Sequence, residues 1–257
     1  MTTVYDPAHT LDKTHPELLQ KKFIVFTDFD GTITRTDSND YLTDNFGMGF
    51  AARRKLADKV LTEELTFRDA FKQMLDSVAV NKSFDECRQI VVDKIELDPG
   101  FKVFLEYCLS QDIPVIVLSG GMEPLISALL QNLVGPNEIP IVSNGAGKSP
   151  QGTWEITYHD DSGFGHDKSL AIKPFTEARK NLPEGERPTY FYCGDGVSDL
   201  SAAKETDLLF AKEGHDLINY CKSSGMPYRV FKDFSTILAD VKDVVEGRKT
   251  AAEIAEN

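Results

Sequence analysis

The stretch Phe23-Ile24-Val25-Phe26-Thr27-Asp28-Phe29-Asp30-Gly31-Thr32-Ile33-Thr34 constrains the fold more than any other. Its first four residues are apolar and predict a short buried strand. Two carboxylates two positions apart follow at the carboxyl end, and Gly31 breaks the pattern. In open α/β sheets, ligands sit beyond the carboxyl ends of the strands. Paired acids there suggest a hard-cation site or an acid/base pair. A solvated strand-to-turn junction is the plain alternative, since Asp and Gly are common in turns.

Two later runs repeat the arrangement. Ile113-Pro114-Val115-Ile116-Val117-Leu118 reads as a buried strand ending in Ser119-Gly120-Gly121. Tyr190-Phe191-Tyr192-Cys193 reads as another, ending in Gly194-Asp195-Gly196-Val197-Ser198-Asp199. Lys168 opens a helix between them. Further strands are expected at Ile139–Val142 and Leu208–Ala211, with residues 143–167 irregular apart from a hairpin arm at Thr153–Tyr158. Helices alternate with the strands and finish the chain. The pattern predicts an α/β fold, a Rossmann-like parallel sheet with helices on both faces.

Between the first and second strands the pattern changes. In residues 39–98 apolar side chains recur at helical spacing, as in Phe67, Ala70, Phe71, Met74 and Leu75. This predicts an inserted helical cap of four or five helices, with Thr66 as the N-cap of one. The expected organisation is an arm at 1–22, a core domain of 23–38 plus 99–257, and the cap at 39–98.

The formal net charge of −13 argues against a nucleic-acid partner, which needs a basic face. A phosphorylated substrate would need a local positive pocket. Asp6, His9, Asp12 and Glu17 interrupt residues 1–22, so no secretory leader is expected. The apolar runs are too short to span a membrane. Cys87, Cys108, Cys193 and Cys221 are scattered and form no metal-ligand pattern. Buried free thiols in a reducing cytoplasm are expected.

Taken together and in this order, Asp28-x-Asp30, Ser119-Gly120-Gly121, Lys168 and Gly194-Asp195-Gly196-Val197-Ser198-Asp199 resemble the motifs of haloacid dehalogenase superfamily phosphatases. The resemblance extends from Phe23 onward. It implies that Asp28 is a nucleophile forming an aspartyl-phosphate, and that Asp30 is the general acid and base. It implies Mg2+, held by Asp28, the Asp30 backbone carbonyl and Asp195, with Asp199 behind them or acting through water. Ser119, Gly120 and Lys168 would bind the phosphoryl group. A phosphate ester of extreme hydrolytic inertness needs such a divided path.

The insert after the first motif resembles the small cap of phosphoserine phosphatases, methionine-salvage phosphatases and fungal polyol phosphatases. Phosphoserine phosphatases carry a Glu where this chain has Asp37 and, if Phe67 matches their cap Phe, an Arg where it has Met74. Ser198 replaces their Asn. An amino-acid carboxylate would then lack its partner. A polyol or sugar phosphate is therefore the expected substrate, with Asp37 and Met74 facing it. Phosphoserine or methionine-salvage phosphatase activity is the alternative, with Arg53, Arg54 or Arg68 as the carboxylate partner. A non-catalytic phospho-ligand binder is disfavoured by the intact acid pair. The Trp154 hairpin is expected to pack, and His159 and His166 are expected at the surface. The molecule should be a monomer or weak homodimer.

Overall fold

A computed structural model describes residues 10–136 and 139–255. In chain order the elements are α1 (Leu11–Thr14), β1 (Phe23–Thr27), α2 (Ser38–Phe46), α3 (Phe50–Leu61), α4 (Phe67–Ala79), α5 (Phe84–Lys94) and α6 (Phe101–Ser110). Then come β2 (Val115–Met122), α7 (Glu123–Val134), β3 (Ile141–Lys148), β4 (Trp154–Thr157), α8 (Ser169–Arg179) and β5 (Thr189–Gly194). The chain closes with α9 (Leu200–Ala203), β6 (Leu208–Lys212), α10 (Asp216–Ser224), β7 (Arg229–Phe231), α11 (Phe234–Val245) and α12 (Ala251–Ile254).

The strands form one seven-stranded sheet in the order β4-β3-β2-β1-β5-β6-β7. Every pair is parallel except β3 with β4. From β1 the chain builds outward through β2 and β3, then crosses back to place β5 on the other side of β1. The order therefore reverses at β1, and the crevice beyond β1, β2 and β5 is where such sheets bind ligands.

β1 is buried on both faces, and its side chains alternate between two cores. Val25 joins Val117, Phe191 and Cys193 in one cluster. Ile24 and Phe26 join Ile116, Leu118, Tyr190 and Tyr192 in the other. The helical insert forms α2 to α5. Thr66 caps α4, its hydroxyl accepting the Asp69 N–H at 3.0 Å. Leu42, Phe71, Leu75, Val78 and Val91 of the insert share the larger core with the sheet. Trp154 packs edge-on against Phe84, and its indole N–H donates to the Lys82 carbonyl at 2.8 Å. The hairpin thus clasps the insert, as the packing role predicts.

Three segments differ from the sequence reading. Residues 10–22 are not a loose arm: α1 and a 3-10 turn at Pro16–Gln20 bury Leu11 and Leu18 against the second core. Residues 1–9 of that stretch lie outside the described residues. Ser143–Lys148, expected to be irregular, continue β3 because β4 pairs with them. β7 is three residues long and too short for periodicity to reveal among helices. Among the described residues no helix is long and apolar enough to cross a membrane, and the four cysteines are buried and unpaired.

If residues 10–22 belong to the core, Leu18→Ala should destabilise the fold by about 2–4 kcal/mol. Urea unfolding checks this, and a change below about 0.5 kcal/mol would restore the loose-arm reading.

Candidate active site

β1 ends by delivering Asp28 to the crevice. Its backbone N–H donates to Cys193 of β5 at 2.8 Å, which fixes the strand end. The Asp28 Oδ1 accepts the Phe29 N–H at 2.7 Å and a Lys168 ammonium contact at 2.8 Å. The chain then turns sharply at Gly31, whose φ is +78°. A side chain there would be strained, and its Cβ would lie 2.4 Å from Asp195 Oδ2. Glycine at 31 lets the β1 turn and the β5 turn touch.

Asp30 points the other way, into the start of α2. Its Oδ1 accepts the Ser38 N–H at 2.8 Å and its Oδ2 the Asn39 amide at 2.9 Å. Burial, then the charge of Asp37, pushes its carboxyl up to about 8. It therefore holds a proton at neutral pH, the state a general acid needs. A Cβ at Gly121 would lie 3.0 Å from Asp30 Oδ2, so this glycine gives the carboxyl its room. Asp37 caps α2, its Oδ1 accepting the Asn39 and Asp40 N–H groups, both at 2.8 Å. Burial raises its carboxyl too.

Lys168 is 1% exposed. Its ammonium lies 2.8 Å from Asp28 Oδ1 and 2.6 Å from Asp199 Oδ1. Burial favours loss of its proton, but Asp199 and Asp28 outweigh that and hold its pKa above the ordinary lysine range. Asp199 is fully engaged. Its Oδ1 also accepts the Tyr192 hydroxyl at 2.7 Å, and its Oδ2 accepts the Asp195 and Gly196 N–H groups at 2.9 Å. Burial pushes the Asp28 carboxyl up, Lys168 opposes this, and Asp199 and Asp195 add to the rise. Two carboxylates thus share one ammonium, and a third, Asp195, lies close to both. Oxygens of Asp28, Asp195 and Asp199 lie within 4.8 Å of one another. Carboxylate oxygens in such excess of negative charge fit a hard divalent cation.

These residues surround a cavity of about 560 Å3. Asp28, Asp30, Ser119, Gly120 and Asp195 form its floor, and Asp37, Val60, Glu63, Phe67 and Phe71 bring the insert over it. Phe164, Ser198 and Tyr220 complete the wall. No Arg or Lys lines it among the described residues. Arg53 is bound by Asp44 and Asp40 of α2. Arg68 donates to the Asp160 carbonyl at 2.6 Å and lies over the Tyr158 ring.

The structure corrects two readings of single residues. Met74 does not reach the cavity. It lies two turns along α4 from Phe67, about 10 Å along the axis, and packs against the main core. Phe71 lines the cavity instead. His166 is not at the surface: it is 2% exposed, with Nδ1 2.9 Å from the Ser119 carbonyl. Several neighbours of the site carried no motif signal. Asn39 holds Asp30, and His215 Nδ1 lies 2.9 Å from Asp195 Oδ2. Only the Asp37-Ser38-Asn39 cap pattern could have drawn attention to Asn39.

The sequence model of the haloacid dehalogenase-like hydrolases matches residues 25–204. The chain belongs to this family. It is 54% identical over 226 residues to Pdp3-interacting factor 1 of Schizosaccharomyces pombe, covering 87% of this chain and 96% of that protein. It is 51% identical over 241 residues to polyol phosphate phosphatase PYP1 of Saccharomyces cerevisiae, covering 92% and 99%. A phosphoserine phosphohydrolase-like protein from Francisella tularensis shares the fold at a TM-score of 0.60 and 19% identity, over 85% of this chain and 99% of that one. The seven-stranded sheet with its inserted helices is this family's α/β architecture.

The raised Asp30 carboxyl sets a pH dependence for the metal-free protein. Between its ordinary value of 3.8 and about 8 the native state holds a proton that the unfolded chain has released. The stability it contributes is full below pH 3.8 and lost as pH rises toward 8. Asp30→Asn should remove this slope, which approaches about 1.4 kcal/mol per pH unit. Urea unfolding of both proteins at several pH values measures it, and a constant difference from pH 4 to pH 8 would contradict the shift.

Proposed function

We propose that this chain hydrolyses the phosphate ester of a small polyol or sugar. The observation that carries this reading is the cavity lining. It offers Asp37 and Glu63 as hydroxyl acceptors, apolar rings at Phe67, Phe71 and Phe164 and, among the described residues, no Arg or Lys for a carboxylate. An anionic leaving group would be repelled and left without a partner. The 51% identity to a polyol phosphate phosphatase supports the same substrate class.

In this reading the Asp28 carboxylate attacks phosphorus and the ester oxygen departs. Asp30, protonated beforehand, gives its proton to that oxygen. Asp30 then takes a proton from water as the water attacks the aspartyl-phosphate, which restores both residues. Lys168 draws the Asp28 carboxyl toward its ionised form against the rise that burial imposes, and it balances the phosphoryl charge from below. The Ser119 hydroxyl and the Gly120 N–H hold phosphoryl oxygens. Asp28, Asp195 and the Asp30 carbonyl would hold Mg2+, which supplies charge neutralisation when bound. Asp199 serves a different purpose: its oxygens are spent on Lys168, Tyr192 and the β5 turn. The insert acts as the cap that excludes water. Residues 39–98 and the surrounding core are then two functional units, and the buried free thiols fit a cytoplasmic setting.

Purified protein should turn over glycerol phosphates and longer polyol phosphates with kcat/KM about ten- to a hundredfold above phosphoserine, the worth of one missing charged contact. A preference for phosphoserine would overturn the substrate class. Asp28→Asn should lower kcat by about four orders of magnitude without altering thermal stability in the same direction. EDTA should abolish turnover and Mg2+ restore it, whereas Ca2+, with longer bonds and more ligands, should not. Full activity in EDTA would remove the cation from the scheme.

A further inference from the structure

β2 and β3 run in register up to Ser119, which pairs with Ser143; the next pair is Met122 with Asn144. Gly120 and Gly121 are extra residues in β2, so the ladder is broken where the strand meets the cavity. A broken ladder frees backbone carbonyls, and buried carbonyls must find donors. Two side chains supply them. His166 Nδ1 lies 2.9 Å from the Ser119 carbonyl, so Nδ1 carries the hydrogen and donates. The Asn144 amide donates to the Gly120 carbonyl at 2.7 Å. Both residues are buried, at 2% and 1% exposure. Asn144 is held in turn, its Oδ1 accepting the His159 N–H at 2.8 Å.

The consequence follows from peptide geometry. In a trans peptide the C=O of one residue and the N–H of the next point in opposite directions. Anchoring the Ser119 carbonyl on the His166 side turns the Gly120 N–H away from it, and Gly120 lines the cavity. A Cβ built on Gly120 meets nothing within 4 Å, so this segment faces open space. The geometry points to His166 as a positioning residue that, with Asn144, aims the Gly120 N–H at a phosphoryl oxygen. This rests on the phosphoryl-binding part assigned above to Ser119 and Gly120.

The remaining features of His166 agree. Its Nε2 is buried with no hydrogen-bond partner, a cost a core position would shed for an apolar residue. Burial first, then His159, hold its pKa down to about 3. The ring is therefore neutral and keeps one N–H. The groups around it are His159, whose ring centroid is 4.6 Å away, Lys168 and Asp160. The Ser119 carbonyl takes the one hydrogen this ring has to give.

Two isosteric tests separate aiming from packing. In His166→Asn the amide nitrogen takes the place of Nδ1, and in His166→Gln it takes the place of Nε2. Both keep a buried polar side chain. His166→Asn should keep kcat on glycerol phosphate within about threefold of wild type, and His166→Gln should lose about ten- to a hundredfold, as for a misdirected oxyanion donor. Orthophosphate should shift the Gly120 amide resonance in wild type and His166→Asn, and not in His166→Gln. Equal loss in both variants, or an unaffected His166→Gln, would overturn the inference. An active wild type with an unaffected His166→Gln sinks this inference alone. A wild type inactive on every phosphate ester, whose Gly120 shift still depends on His166, sinks the functional reading alone.

Discussion

Lys168 sits where no lysine would remain charged without partners. It is almost fully buried, and moving an ammonium out of water costs several kcal/mol even after relaxation. Asp28 and Asp199 offset that cost at 2.8 and 2.6 Å. They in turn need their remaining oxygens satisfied. For Asp199 the Tyr192 hydroxyl and two N–H groups of the β5 turn do so. One buried cation thus ties β1, β5, the turn after β5 and the start of α8 into one geometry. Removing Asp199 would leave a buried charge short of a partner and release the Asp195 turn, so a residue that does not line the cavity controls its floor.

The same cluster separates the two acids of β1 although they are two residues apart. Asp28 faces the ammonium. Asp30 faces the amide and backbone donors of α2, with Asp37 as its nearest charge. One environment favours an ionised carboxyl once positive charge is gathered there, and the other favours a protonated one. A strand's period of two would send both residues to the same side; they part because the chain leaves β1 at Thr27 and turns toward Gly31, whose φ is +78°. Gly31 and Gly121 make this separation possible, because the Asp195 and Asp30 carboxyls occupy the space their side chains would fill.

Legibility in the sequence followed the range over which each part is determined. The strand ends at Asp28, Ser119 and Asp195 were readable because a buried apolar run and its terminal motif are contiguous. The α4 start was readable because Thr66 and Asp69 make a local cap. Asn144, His166 and His215 were not, since they meet Gly120, Ser119 and Asp195 across 24, 47 and 20 residues. No pattern in their own neighbourhoods records those contacts. Met74 was misplaced for a related reason. Helical periodicity gives the face of a residue but not where along the helix a cavity ends. In residues 10–22 three leucines in a polar stretch carry too little period to announce burial.

An acidic protein that handles an anion faces an electrostatic conflict, and the cavity shows how it is divided. The chain carries a formal charge of −13, yet its cavity lining adds acids and, among the described residues, no Arg or Lys. Among the described residues the expected positive pocket is reduced to Lys168 beneath the floor, already shared by two carboxylates. In the proposed reaction that leaves attraction of the phosphoryl group to a bound cation and to oriented N–H groups, both of which act over a few ångströms. The leaving-group half of the cavity keeps its negative charge. A neutral polyol is not repelled by that charge and can donate its hydroxyls to it, whereas a carboxylate meets repulsion with no compensating donor. Discrimination in this cavity therefore comes as much from what its walls withhold as from what they offer.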